Sequence, residues 1–323
     1  MSSIVSDIDQ QTFQGLHHAL TLVGMSGIGK TVLSKALRQS GHWFHYSADY
    51  RIGTRYLSED ILDNIKYKIM NMEDPFIANL LRSDSIYISH NISVDNLDPV
   101  STFLGMYGDS ASGGLDKKTF LERQDLYRKA EVESMLDVER FIDKGWRLFR
   151  CKDFVNDASG SLCEICEPQD PDDPLMNSLR EQSLVLYIQP GDGHEDVLKE
   201  RARLHPKPLF YNPAFINRRI EDCPEDGSGI EPLDFARPLF PELLEFRKPR
   251  YESIASNFGF TITVEELCQC TGEGMDVPDS EQFLKNIHAV IIKQAQASER
   301  AARNLEIYLE SCQARQRNRQ HVS

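Results

Sequence analysis

The chain has 323 residues, 27% charged and 40% hydrophobic, the composition of a soluble globular protein with enough apolar material for one large core or two modest ones. With 50 Asp and Glu against 36 Lys and Arg, its formal net charge of -14 argues against nucleic acid or an anionic membrane as a general partner. Both would need a neutralising basic surface. No apolar run approaches the roughly 20 residues of a membrane helix, and the opening MSSIVSDIDQQ lacks a charged-then-apolar signal, so a cytoplasmic location is expected.

Residues 1–18 read as a short leading helix, with Phe13 and Leu16 placed to pack on the strand that follows. Residues 19–23, ALTLV, are a short apolar run of the kind that forms a buried strand. They lead into Gly24-Met25-Ser26-Gly27-Ile28-Gly29-Lys30-Thr31, which matches the P-loop pattern of Gly, four residues, then Gly-Lys-Thr. Val32, Leu33, Ala36 and Leu37 then continue in a helical pattern. Strand, glycine loop, helix is the order that phosphate binding requires. Glycines let consecutive backbone N–H groups turn inward with no Cβ in the way, and the positive end of the helix adds attraction. Lys30 can reach the β- and γ-phosphates of ATP, and the Thr31 hydroxyl is placed to hold Mg2+. Residues 24–32 are therefore the expected ATP site.

Gly41 stops the helix, and Trp43-Phe44-His45-Tyr46 reads as a second strand running into Ser47-Ala48-Asp49. A carboxylate there stands at the mouth of an open α/β sheet, where ligands bind. Asp49 is a candidate for Mg2+, for accepting a proton from a substrate hydroxyl, or for capping a helix. From residue 57 to 150 the pattern turns helical. Ile61, Ile65 and Ile69 recur every four residues, and Phe76, Leu80 and Leu81 mark another short helix. Ile86, Tyr87 and Ile88 read as a brief strand, and residues 96–116, ending GMYGDSASGGLD, as a mobile loop. Residues 117–149 read as one long helix with Met135, Val138 and Ile142 on a single face. The whole segment is either a substrate cap or helical padding around the sheet.

Residues 153–157 form a third expected strand, with Asp157 facing the same mouth as Asp49. Ala158-Ser159-Gly160-Ser161 follows, small enough to let backbone approach a ligand. Residues 167–174 read as a solvated acidic loop, 183–188 as a fourth strand, and 195–204 as a helix carrying Lys199, Arg201 and Arg203. The proline-rich stretch 205–241 reads as a loop and, with its basic residues, as a lid. A helix over 243–258 and a fifth strand over 259–263 come next. Asp279 with Gln282 resembles a capping box opening a helix striped by Phe283, Ile287 and Ile291. Helix is expected to about Cys312, then a frayed basic tail. The seven cysteines fit reduced thiols. Cys163-Glu164-Ile165-Cys166 has metal-knuckle or redox spacing and Cys268-Gln269-Cys270 is a second close pair, but cysteine is also a common small core residue.

At least five strand-like runs alternate with helices, and the P-loop falls on the first. The chain resembles the kinase branch of P-loop proteins, and is most similar there to the shikimate kinase and gluconate kinase group. Four matches in order carry this. They are the compact loop with Gly27 inside it, and Ser47-Ala48-Asp49-Tyr50-Arg51-Ile52 where shikimate kinases have Asp-x-Asp followed by isoleucine. Next come Leu184-Val185-Leu186-Tyr187-Ile188 with Leu198-x-x-Arg201 and Lys207-Pro208-Leu209, similar to a strand, helix and Arg-Pro-Leu lid start. Last is Arg247-Lys248-Pro249-Arg250-Tyr251 with Ala255, similar to Arg-x-Pro-x-Tyr-x-x-x-Ala. The departures are Ser47 for the first Asp, Ser159-Gly160-Ser161 for Gly-Gly-Gly, Lys207 for the lid arginine, and a much longer segment over 57–150. These make shikimate itself an unexpected substrate.

The resemblance implies an α/β P-loop fold with a five-stranded parallel sheet, helices on both faces, a helical insert and a lid. It implies transfer of the γ-phosphoryl group of ATP, with Mg2+, to a small, anionic acceptor. Lys30 and a lid cation, Lys207 or Arg201 or Arg203, would offset charge on the moving group. Thr31 with Asp157 would hold Mg2+. Asp49 would orient or deprotonate the acceptor hydroxyl, and Arg247 would meet an anionic group of the acceptor. From the residues alone, Arg247 could equally form a surface ion pair with Glu245 or Glu252. The expected division is a nucleotide-binding core over 1–56 and 151–295 with the lid at about 205–241, an insert over 57–150, and a C-terminal helix and tail over 296–323. The expected partner is a small-molecule acceptor, not nucleic acid or membrane, and no residue pattern fixes the oligomeric state. A regulatory ATPase acting through the insert and a nucleoside or nucleotide kinase stay open as alternatives.

Overall fold

Five short runs form strands: β1 (Ala19–Val23), β2 (Trp43–Ser47), β3 (Asp153–Asp157), β4 (Leu184–Gln189) and β5 (Phe260–Thr263). All pair in parallel, in the order β2-β3-β1-β4-β5. The computed structural model describes residues 9–191, 193–271 and 280–320, the side chains of 268–271 and 320 excepted. Every residue of β1 and β3 is buried, as expected of parallel strands covered on both faces. With β1 central and its neighbours coming much later in the chain, the connections diverge to opposite sides of it. That divergence opens a crevice at the carboxyl ends of the strands.

The helices follow in chain order: α1 (Gln10–Gly15), α2 (Lys30–Gln39), α3 (Ala48–Arg51) extended by a π-helical turn (Ile52–Tyr56), α4 (Ser58–Met70), α5 (Pro75–Arg82), α6 (Asp98–Leu104), α7 (Lys117–Leu136) and α8 (Val138–Phe149). After β3 come α9 (Leu162–Ile165), α10 (Pro174–Gln182), α11 (His194–Leu204), α12 (Pro213–Ile220) and α13 (Pro232–Phe258). The last are α14 (Val264–Thr271), α15 (Ser280–Ala297) and α16 (Glu299–Gln320).

Several of these correct the sequence reading. Ile86, Tyr87 and Ile88 form no strand, and Tyr87 is 90% exposed, so no partner pays out the apolar pattern. The stretch 96–116 contains α6, and Gly105, Gly108 and Gly114 in it serve close packing. A Cβ on Gly114 or Gly227 would lie 2.3 Å from the backbone of Gly108. The expected long helix over 117–149 breaks between α7 and α8, yet Met135, Val138 and Ile142 are all buried. The expected loop 205–241 holds α12 and the start of α13. Pro238, Pro241 and Pro249 lie inside α13 on exposed positions, while Leu239, Leu243, Leu244, Tyr251, Ile254 and Phe258 form its buried stripe. Burial of that stripe outweighs the local proline signal, the prolines facing solvent where a lost N–H is least costly. Helix α16 runs well past Cys312. Asp279, the first half of the expected capping box, lies outside the described residues, as do the side chains of Cys268 and Cys270.

The chain divides into two compact units. One comprises the chain up to Ala48, Met135–Arg201, and the chain from Pro241 on. On one face of its sheet, Leu20, Leu22, Val155, Leu184, Leu186, Ile188, Phe260 and Ile262 meet Leu33 and Leu37 of α2, Phe283 and Ile287 of α15, and Leu305 and Tyr308 of α16. Phe13 and Leu16 join this core. On the opposite face Phe44 and Tyr46 pack on Phe141 of α8, and Tyr187 stacks on Tyr251 of α13. At the free edge of β5 the Gln294 side chain accepts from the N–H of Thr261 and donates to its carbonyl. The other unit comprises Asp49–Ser134 and Ala202–Phe240. Within it Tyr107 packs edge-on against Phe235, and Tyr127 stacks on Phe210. No helix among the described residues is long and apolar enough to cross a membrane.

Asp153 opens β3 with its carboxylate accepting the N–H of His18 at 2.8 Å. Burial pushes its carboxyl up from 3.8 to about 6, against the lowering by that hydrogen bond and by Lys152. The folded chain therefore holds this proton more tightly than the unfolded one. Its contribution to stability is full below about pH 4 and is lost as pH rises through about 6. Asp153→Asn keeps an acceptor for His18 and removes the charge. Thermal melts should place the variant's Tm above wild type at about pH 8 and level with it at about pH 4.

Candidate active site

The loop between β1 and α2 is shaped by three glycines with positive φ: Gly24 at 146°, Gly27 at 87° and Gly29 at 100°. These conformations let the backbone curl outward while Met25 and Ile28 turn their side chains into the core. Ser26 and Gly27 are left exposed between those two anchors. Lys30, at 6% exposure, folds back under the loop, and its Nζ donates to the carbonyls of Gly24 at 2.7 Å and Met25 at 3.0 Å. Thr31 is the second residue of α2 and is half-buried; Val32 beside it is exposed. A glycine-curled loop at the amino end of a helix, with a lysine beneath it, is an arrangement that can receive an anion.

Two walls flank the loop. A Cβ on Gly160, in the turn after β3, would lie 2.8 Å from Ser26 N. A Cβ on Gly27 would meet Leu198 at 3.0 Å and the Arg201 guanidinium at 3.4 Å. Helix α11 thus sets Arg201 beside Gly27.

Asp157 ends β3 opposite Leu22 of β1 on one side and Ser47 of β2 on the other. Its carboxylate is 6% exposed, and the Nε2 of the buried His45 ring stands 3.6 Å from it. Where the resemblance places an acid at Ser47, the neighbouring strand carries one at the facing position. His45 was missed in the sequence, although alternation along β2 puts it on the same face as Ser47.

Asp49 lies in the first turn of α3, in the second unit, half-buried, and accepts the Tyr127 hydroxyl of α7 at 3.4 Å. Tyr127 is 78 residues away in sequence, and nothing local announces it. Lys207 lies exposed on the irregular stretch between α11 and α12.

Arg247 needs a correction. It is 4% exposed, too deeply buried for a surface ion pair. Its Nε donates to Glu164 at 2.7 Å, and its Nη2 also pairs with that carboxylate. Burial disfavours its charge, yet the adjacent Glu164 holds its pKa above the ordinary arginine value. Glu164 belongs to the CxxC segment, where only the cysteines drew attention. Those cysteines are buried and form no disulfide, and burial pushes the Cys163 thiol up to about 12, which leaves it unreactive. Among the described residues, no group of three or more His, Cys, Asp or Glu side chains could hold a metal ion.

No protein-family model and no curated protein matches the chain. Among solved structures, shikimate kinase from Bacteroides thetaiotaomicron is similar over 84% of this chain and 97% of that one, at 15% identity and a TM-score of 0.36.

The conformation at Gly27 yields a direct test. Gly27→Ala adds a Cβ at a φ of 87° that meets Leu198 at 3.0 Å. Urea denaturation should show a loss of about 1–2 kcal/mol, the cost of forcing a side chain into left-handed backbone.

Proposed function

We propose that this chain is an ATP-dependent phosphotransferase that moves the γ-phosphoryl group of ATP to a hydroxyl of a small, anionic acceptor. The observation that carries the reading is the curled loop itself, with three positive-φ glycines above the buried Lys30. Phosphoryl transfer asks a protein for charge neutralisation and in-line placement more than for covalent chemistry. This loop is built for the first of these.

Backbone N–H groups of residues 27–30 would cradle the β-phosphate, and Lys30 would exchange its carbonyl partners for phosphate oxygens. Arg201, already over Gly27, would offset charge on the moving group, with Lys207 as a second cation of the lid segment. The residues fit Mg2+: the Thr31 hydroxyl and the Asp157 carboxylate are hard oxygen donors, and Mg2+ takes few protein ligands beside phosphates. Bound there, Mg2+ would neutralise charge shared by the β- and γ-phosphates. Asp49 would accept or orient the acceptor's hydroxyl proton, with Tyr127 fixing its carboxylate. Arg247, buried and paired with Glu164, would reach the acceptor only by leaving that carboxylate.

Ser47, standing where the resemblance has a carboxylate, favours one second reading: a switch that hydrolyses ATP slowly and signals through the unit containing residues 49–134. Incubation with γ-labelled ATP and a pool of small metabolites separates the two. Acceptor-dependent transfer of label is expected; steady hydrolysis with no acceptor would support the switch. Lys30→Ala should abolish turnover in a protein that still folds, and unchanged turnover refutes the site. Asp49→Asn should lower transfer by at least ~10²-fold, the effect of a lost general base, while sparing ATP affinity. Near-normal transfer would remove Asp49 from the mechanism.

A further inference from the structure

The second half of α13 grips the chain that follows β3 at successive helical turns. Arg247 pairs with Glu164. Arg250 donates from Nε to the carbonyl of Cys163 and from Nη2 to that of Cys166, both at 2.6 Å. The Tyr251 hydroxyl donates to the carbonyl of Gly160 at 2.9 Å, and Asn257 donates to that of Pro168 at 2.7 Å. Tyr251 is fully buried, and its ring lies flat against Tyr187 at 5.4 Å. Tyr187 in turn pairs in register with Val23, the last residue before the loop.

Gly160 is the point where this grip meets the loop. Tyr251 holds its carbonyl from behind, and in front its Cα stands so close to Ser26 that a Cβ would lie 2.8 Å from Ser26 N and 3.0 Å from Ser26 Cβ. Ser26 and Gly27 are the exposed crest of the loop, so their curvature depends on what they rest against.

We propose that Tyr251 is a positioning residue for the phosphate loop. Its hydroxyl, acting through the Gly160 carbonyl, holds the backbone at Ser26 and Gly27 in the curvature that receives phosphate. The Arg247–Glu164 pair and Arg250 fix the turn through which it acts. The Arg-x-Pro-x-Tyr segment is thereby a brace at the nucleotide end of the site, in place of a contact with the acceptor. The proposal rests on the reading of residues 24–32 as a nucleotide site.

The test is the affinity of the full-length protein for the fluorescent analogue mant-ATP, measured with thermal melts on wild type, Tyr251→Phe and Gly160→Ala. Tyr251→Phe removes one hydroxyl and should raise the Kd about tenfold, the scale of one lost hydrogen bond, at a temperature where all three proteins are folded. Gly160→Ala pushes a methyl into Ser26 from the front and should raise it at least as far. Amide exchange across residues 24–31 should quicken in Tyr251→Phe. A purely structural tyrosine would lower Tm and leave the Kd of the folded protein unchanged. Kd values within twofold of wild type in both variants overturn the brace. Failure of the wild type to bind mant-ATP overturns the nucleotide reading instead, and the exchange measurement then decides the brace alone, unaltered exchange overturning it.

Discussion

A lysine ammonium held at 6% exposure is the constraint on which the first unit depends. Taking such a charge out of water costs several kcal/mol unless dipoles or an opposite charge answer it. Two carbonyls at the entrance of the loop answer it here, those of Gly24 and Met25. To present them the chain must curl, which sets the positive φ of three glycines and sends Met25 and Ile28 inward as anchors. To hold the curl it needs walls, and the central place of β1 supplies them: the turn after β3 on one side, α11 after β4 on the other. In the proposed function a phosphate chain would bring the opposite charge and take over from these carbonyls.

Much of the sheet was legible in the sequence, for a physical reason. Parallel strands covered on both faces are short apolar runs, and ALTLV and LVLYIQ stand out from their surroundings. Segments whose shape is decided by distant partners were not legible. Prolines inside α13 argued for a loop until the buried stripe of the helix was visible. Glycines around Gly108 argued for mobility, yet they are small because three stretches of backbone meet there. The Ile86–Ile88 pattern argued for a strand, but among the described residues no strand pairs with it, and periodicity without a partner builds nothing.

The site divides in the same way. Lys30, Thr31 and the glycines lie within eight residues, so their spacing alone marks them as candidates. The pairs Asp49 with Tyr127, His45 with Asp157 and Glu164 with Arg247 form only across folded distance. Arg247 illustrates the hazard. Its place in a recognisable segment suggested contact with an acceptor, and the fold gives it to a buried carboxylate. A charge seen in sequence has a role only once its counter-charge is known.

Ser47 and Asp157 face one another across adjoining strands. In a parallel sheet such facing positions present their side chains to the same side, about 4.8 Å apart. An acid can therefore migrate from one strand to its neighbour while remaining almost stationary relative to a bound ion. Two proteins could then share a chemical apparatus with no aligned column in common.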